Sequence, residues 1–306
     1  MAGMGSLAHG NDIAGSLRYP AAANGAVTVK PGFARVPAWN PSQKAERGLL
    51  AQLMSVQGLI GREIRDVRLG FAELLHGDPH DPWMVPMPLA GPHVDGPIKV
   101  AYTKDSFEYD LHPAVDKALD TARDALVDAG YDVVETDPPL LRECAETAIR
   151  ALFGEVDAMM INDIRKYGSE TINGAFDSYY ELKQPYTRDE QLAAQAKRSF
   201  YVRKWQLFMQ DYPLVLSPFL FKLTYDWDRD LQGAEGANEV LGSAIYSYSM
   251  NFLGLPAGNV PASFNDGLPI GIQIIGQRFR EDMVLDACEA VEHRVGVMAQ
   301  RLFERG

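Results

Sequence analysis

The sequence predicts an α/β fold, on three observations. The 306-residue chain is 46% hydrophobic and 23% charged, the balance of a globular protein that can bury a full core. Residues 98–135 read as strand, helix and strand in succession, a βαβ unit whose two strands are usually parallel. Near the C-terminus two apolar strand-like runs, Ala257–Phe264 and Leu268–Ile275, flank Asn265-Asp266-Gly267, a three-residue hairpin signal.

From residue 62 onward, Ile64, Val67, Phe71, Leu74 and Leu75 fall on one helical face, and Gly77 with Pro79 beyond it ends the pattern. Ile98–Thr103 alternates as a short strand. Pro113 then opens a helix with a buried stripe of Val115, Ala118, Leu119, Ala122, Leu126 and Ala129, closed by Gly130. Tyr131–Glu135 is the next strand. Residues 141–212 read as almost all helical, with Thr187 and Glu190 forming a capping box, and suggest a helical insert. Pro213–Leu216 fits a short buried strand, Asn238–Leu253 a helix, and Glu281–Val295 a closing helix. No repeat, low-complexity tract or long linker divides the chain, so residues 1–306 are expected to form a single domain.

Composition excludes several functions. With 29 Lys+Arg against 41 Asp+Glu, the net charge of −12 repels a phosphate backbone, and no basic block offsets it, so direct nucleic-acid contact is not expected. Cys144 and Cys288 are too few and too far apart for a disulfide framework or a four-ligand zinc site, which points to the cytoplasm. The N-terminus lacks the basic and apolar regions of a secretory signal. The longest uncharged stretch, Val240–Asn265, is broken by Pro256 and Pro261, so no membrane span is expected. Gly3-x-Gly5-x-x-Ala8 has no strand before it, which disqualifies it as a dinucleotide fingerprint. His76, Asp78, His80 and Asp81 sit in a Pro-rich turn and read as a solvated loop rather than a metal site.

One segment stands apart. Gly10-Asn11-Asp12-Ile13-Ala14-Gly15-Ser16-Leu17-Arg18-Tyr19-Pro20-Ala21-Ala22 delivers a serine from a small-residue loop into the start of a helix. Pro20 is tolerated there only within the first turn. Free N–H groups at such a place suit the oxyanion of an acyl-transfer intermediate, and the serine suits a nucleophile. Capping the helix is the more frequent job of a serine so placed, and the loop alone leaves both readings open.

This segment, followed by Gly25 and Val27-Thr28-Val29-Lys30-Pro31-Gly32-Phe33-Ala34-Arg35-Val36-Pro37, closely resembles the signature of the amidase signature family. That signature runs Gly-Thr/Ser-Asp-x-Gly-Gly-Ser-Ile-Arg-x-Pro-Ala, then Gly, then Leu-Lys-Pro-Thr-x-Gly-Arg-Val-Pro. Gln57-Gly58 with Asp66, Asp211–Pro218, Asn251–Ala257 and Gly267–Gly276 resemble later segments of the same family, so the likeness spans the chain. It implies an α/β/α sandwich around a mixed central sheet. It also implies that Ser16 is the acyl-accepting nucleophile, that the N–H groups of Ile13, Ala14, Gly15 and Ser16 form the oxyanion hole, and that Asp12 and Arg18 buttress the loop. Lys30 and Arg35 match the signature, with Lys30 structural rather than the catalytic base.

The family activates its nucleophile through a second serine, held in a cis peptide within Gly-Gly-Ser-Ser-Gly-Gly-Ser, and through a lysine further upstream. Only fifteen residues precede Ser16, and Ser6 does not match that second serine. The resemblance therefore implies the C-terminal two-thirds of an N-terminally truncated amidase, inactive or impaired as it stands, because a serine hydroxyl without its base is a weak nucleophile. Ala14 stands where the family has glycine, which matters only if the backbone there needs φ > 0.

The implied reaction is hydrolysis of a carboxylic amide C–N bond through a serine acyl-enzyme, on a small-molecule amide, with no metal or organic cofactor. A homodimer is left open. The competing readings are a non-catalytic truncated homologue and an amidase-type component of a glutamyl/aspartyl-tRNA amidotransferase. Phe219, Phe221, Tyr225 and Trp227 suggest either ordinary core or the lining of an acyl pocket.

Overall fold

The structure is a computed structural model that describes residues 3–303. Its first half alternates strands and helices: β1 (Leu7–Asp12), α1 (Arg18–Asn24), β2 (Val27–Lys30), α2 (Leu49–Met54), β3 (Val56–Gly61), α3 (Ile64–Leu74), β4 (Lys99–Tyr102), α4 (Pro113–Asp128) and β5 (Asp132–Glu135). Four helices follow, α5 (Leu141–Met159), α6 (Ile161–Tyr167), α7 (Glu170–Leu182) and α8 (Arg188–Asp211). The chain closes with β6 (Leu214–Pro218), α9 (Gly233–Gly242), α10 (Ile245–Leu253), β7 (Ala257–Asn265), β8 (Leu268–Gly276), α11 (Glu281–Val295) and α12 (Met298–Phe303).

The eight strands form one sheet in the order β1-β3-β2-β7-β8-β6-β4-β5. β4 runs parallel to β5 and to β6, as the βαβ reading requires, and the other pairs are antiparallel. The sheet is mixed and lies between two helical layers, as expected. Alternation along the strands sorts the side chains. Val27 and Val29, Val100 and Tyr102, Leu214 and Leu216, and Ile270, Ile272 and Ile274 face one core with α3, α4 and α11.

The opposite face, under α1 and α10, is mixed in character. Alongside Ala101, Val215, Ala257 and Ile275 it carries Thr28 and Lys30 of β2, Ser217 of β6, Asn259 of β7 and Gln273 of β8, all buried. Buried polar groups must be hydrogen-bonded or they cost stability. Of these side chains Gln273 reaches the segment that follows β1, its Oε1 accepting from Arg18 Nη1, whereas the amide of Asn259 has no hydrogen-bond partner among the described residues.

α4 shows how closely the pattern can be read. His112 caps it by accepting from the N–H of Ala114, Pro113 occupies its first turn, and Val115, Ala118, Leu119, Ala122 and Leu126 are buried as expected. Each fully buried Val or Leu contributes about 1.5–3 kcal/mol relative to exposure.

Four expectations need correction. Ala129, expected in the buried stripe of α4, is exposed at the C-cap of that helix. The hairpin loop has two residues rather than three: Asn265 pairs with Leu268, and Asp266 (φ 47°) with Gly267 (φ 90°) makes a tight turn with both φ positive, which matches the twist of the flanking strands. The helix expected over 238–253 is two helices, α9 and α10, because the carbonyl of Ser243 turns aside to accept from the N–H of Phe221. The aromatic cluster also divides: Phe219 and Phe221 are fully buried in the core, whereas Trp227 is 93% exposed.

Candidate active site

β1 carries the chain to Asp12, and residues 13–17 turn it into α1. Gly15 is obligatory in that turn. Its φ is +130°, and a Cβ added there would lie 2.4 Å from both Ser247 Oγ and the Tyr19 ring. Ala14 has no positive φ, so its methyl group carries no backbone strain and the departure from the family pattern is accommodated.

A buried ion pair holds the turn. Asp12 and Arg18 are both fully buried and meet at 3.0 Å. Asp12 Oδ1 accepts from the N–H of Gly15 at 2.7 Å, and Oδ2 from the N–H of Leu17 at 3.2 Å and from Arg18 Nε at 3.0 Å. Every donor of the Arg18 guanidinium is placed. Nη1 donates to Ser247 O (3.0 Å) and Gln273 Oε1 (2.8 Å), and Nη2 donates to Asp12 Oδ1 (3.0 Å) and Asn251 Oδ1. Asn251 Nδ2 in turn donates to Asp12 O, Asp12 Oδ1 and Met54 O. Burial opposes ionisation of Asp12, but the charges of Arg18 and Lys30 and the hydrogen bonds from Arg18 and Asn251 prevail and hold its carboxyl below the usual range.

The helix start is therefore served by Asp12, not by Ser16. α1 has no side-chain cap at its own N-cap position, Leu17. Ser16 is exposed, and no protein partner of its hydroxyl occurs among the described residues. The N–H of Gly15, expected among the oxyanion donors, is instead taken by Asp12. The N–H groups of Ile13, Ala14 and Ser16 carry no protein acceptor among the described residues. The turn thus presents a hydroxyl and three backbone donors beside a fixed negative charge that is itself fully compensated.

Lys30 is buried on the same face of the sheet. Its Nζ donates to the carbonyls of Pro31 and Leu255, both at 2.7 Å. Burial, with Arg18 adding to it and Asp12 and Glu281 opposing, pulls its pKa down to about 7. A neutral amine has two N–H groups, and both have acceptors here. Beyond it, Glu281 accepts from the N–H of Gly32 (2.9 Å) and from Arg35 Nε (3.0 Å), fixing the segment that follows β2. Neither Lys30 nor Arg35 contacts Ser16 in the hydrogen-bond network, in keeping with a structural part.

Sequence reasoning missed the far side of this network. Ser247, Asn251 and Gln273 were visible only as members of C-terminal segments, and the periodicity of those segments carries no sign that their side chains close on residues 12–18. His80, by contrast, stacks on Trp39 with centroids 4.3 Å apart and bonds Asp78 at 2.7 Å, while Asp81 accepts from the N–H groups of Ala38, Trp83 and Met84. No cluster of three or more His, Cys, Asp or Glu suited to a metal ion occurs among the described residues. Nor is any described helix long and apolar enough to cross a membrane.

A mixed-sheet α/β fold that feeds a strand through a glycine-containing turn into a helix behind an exposed serine fits the amidase class. The family model described as Amidase matches residues 2–285, and the chain belongs to the amidase signature family. Among curated relatives, the indoleacetamide hydrolase of Bradyrhizobium japonicum is 42% identical over 304 residues, which is 99% of this chain and 65% of that protein. A glutamyl-tRNA(Gln) amidotransferase component from Lacticaseibacillus casei (strain BL23) is 25% identical over 95% of this chain and 64% of its own length. The chain thus spans about two-thirds or less of these relatives. The structure of 6-aminohexanoate cyclic dimer hydrolase complexed with substrate superposes with a TM-score of 0.77 at 22% identity, covering 96% of this chain and 65% of that one. Fatty acid amide hydrolase does so with a TM-score of 0.75 at 20% identity, over 95% and 56%. At those identities the likeness speaks for the fold.

Proposed function

We propose that the chain carries the acyl-accepting part of a serine amidase site, within a single domain whose helices α5–α8 form an insert. Ser16 is the nucleophile, the N–H groups of Ile13, Ala14 and Ser16 stabilise the oxyanion, and Asp12 with Arg18 fixes the turn. The observation that carries this reading is the exposed, unpartnered Ser16 hydroxyl on a helix start already capped by Asp12. A serine whose structural job has been given to another residue is free for chemistry.

In the intact reaction a base removes the Ser16 proton and Oγ attacks the amide carbonyl. The oxyanion collapses, the C–N bond breaks, and the proton passes to the leaving nitrogen. Water then splits the acyl-enzyme to release the acid. The preorganised N–H groups lower the barrier where negative charge develops. The base belongs to no residue of this turn, and we assign it to a segment of the kind that makes up the remaining third of the relatives. The name of the 42%-identical relative makes an arylacetamide the first substrate to test.

The test is labelling by a serine-directed fluorophosphonate. It is run on the 306-residue chain and on the same chain fused to the corresponding N-terminal segment of the Bradyrhizobium protein. The fused protein labels at Ser16 and turns over indoleacetamide, whereas the chain alone labels slowly. Labelling that persists in Ser16→Ala and maps to another serine overturns the assignment.

A further inference from the structure

A second feature opens at the same end of the sheet. Asp12, at the C-terminal end of β1, pairs with Val56, the first residue of β3, and β2 ends beside them, so residues 13–16, 31–39 and 55 all leave the sheet on one side. There Trp39, Arg47, Gln52, Ser55, His80 and Trp83 line a half-open cavity of about 370 Å³. Its inner wall is tied to the Ser16 turn. Ser55 Oγ accepts from Asn11 Nδ2 at 2.8 Å and donates to Asn11 Oδ1 at 3.0 Å, and Asn11 precedes Asp12.

The walls are held rigid. Trp39 stacks on His80, Trp83 Nε1 donates to Gln52 Oε1 at 3.0 Å, and the Trp83 ring lies 5.7 Å from that of Phe33. Arg47 donates to Ser55 Oγ at 2.6 Å. Even so, Trp39 and Trp83 remain 47% and 39% exposed. Two ordered indole rings left half open at the mouth of a cavity form a platform for a flat π-system, since aromatic rings prefer offset-stacked or edge-to-face partners. The volume falls within the range of small-molecule sites. The lining charges are the carboxylates of Glu46 and Asp81 against the guanidinium of Arg47, a balance that disfavours an anion.

We propose that this cavity is the aryl subsite of the amide-binding cleft. It takes the planar ring of a neutral aryl amide against the half-exposed indoles of Trp39 and Trp83 and discriminates against the carboxylate product. The proposal rests on the reading of Ser16 as nucleophile but adds the ring-binding residues and the preference for amide over acid.

The test is calorimetric titration of the 306-residue Ser16→Ala chain, in which binding is read without turnover. The probes are indoleacetamide, cyclohexylacetamide and indoleacetate. Indoleacetamide is expected to bind tighter than either of the others. Trp39→Ala and Trp83→Ala should each weaken it by roughly threefold to tenfold, the worth of one aromatic stack, while Trp227→Ala leaves it unchanged. Absence of binding, equal affinity for the cyclohexyl amide or the acid, or an equal loss in Trp227→Ala overturns the proposal. Phosphonate labelling of Ser16 is unaffected by any of these results, so failure of the subsite and failure of the nucleophile are read separately.

Discussion

Asp12→Ala is the perturbation to which the turn should be most sensitive. The substitution removes the acceptor for the N–H groups of Gly15 and Leu17 and for two guanidinium donors, and it leaves Arg18 charged in a fully buried site. Breaking a buried pair from one side costs about 3–5 kcal/mol, because the surviving charge is stranded without water. Ser16→Ala, at an exposed hydroxyl without a protein partner, should stay within about 0.5 kcal/mol. The two positions are close neighbours in the chain, yet should differ roughly tenfold in effect on stability. Urea unfolding followed by circular dichroism, fitted for midpoint and slope, measures both. Arg18→Met should cost a similar amount to Asp12→Ala. The double variant should cost about 2 kcal/mol less than the sum of the singles, since neither charge is then left alone. An Asp12→Ala cost below about 1 kcal/mol, or singles that add within about 0.5 kcal/mol, would refute the account of the turn as a fully compensated ion pair.

Gly15→Ala combines a positive φ with a 2.4 Å clash against Ser247 and Tyr19, so it should lose about 3 kcal/mol and all phosphonate labelling; a stable, labelled variant would contradict the turn geometry. Lys30 titrates near 7 when folded against an ordinary 10.5, so the unfolded chain binds more protons between those values and stability should rise as pH goes from about 7 to 10. Lys30→Met should flatten that rise relative to the parent, which urea midpoints at several pH values would detect, and an unchanged profile would count against a neutral Lys30. Among the described residues β1 ends the strand order with one edge unpaired, and its first residue, Leu7, is 37% exposed, so the chain should self-associate. A monodisperse monomer in size-exclusion light scattering is the contrary result.

Much of the apolar frame was legible from periodicity alone. The stripe of α4, the Ile270–Ile275 strand and the capping box at Thr187 and Glu190 each carry their own local signal, and the structure places them where that signal points. β1 carries none. Leu-Ala-His-Gly-Asn-Asp has neither alternation nor β-branched residues, and it is a strand because β3 pairs with it along its whole length. The break between α9 and α10 was likewise invisible, since it depends on the carbonyl of Ser243 meeting a backbone donor from residue 221. For the candidate site, the motif singled out the serine and its turn, but the residues that complete the Arg18 fork lie 229, 233 and 255 positions away and signal nothing locally.

That separation has a consequence for how the site comes into being. Arg18 finds three of its acceptors, Ser247 O, Asn251 Oδ1 and Gln273 Oε1, only near the end of the chain, on α10 and β8. At ribosomal rates of about 5–20 residues per second, the turn leaves the ribosome on the order of ten seconds to a minute before its partners exist. Throughout that interval the guanidinium lacks those acceptors, and the helix behind Ser16 can pack on β2 but not yet on β7 and β8. The serine can take up its final position only once the last strands have been made. The turn at residues 12–18 is thus completed by the far end of the chain, and any product released before β8 is made carries the motif without the buried network that fixes it.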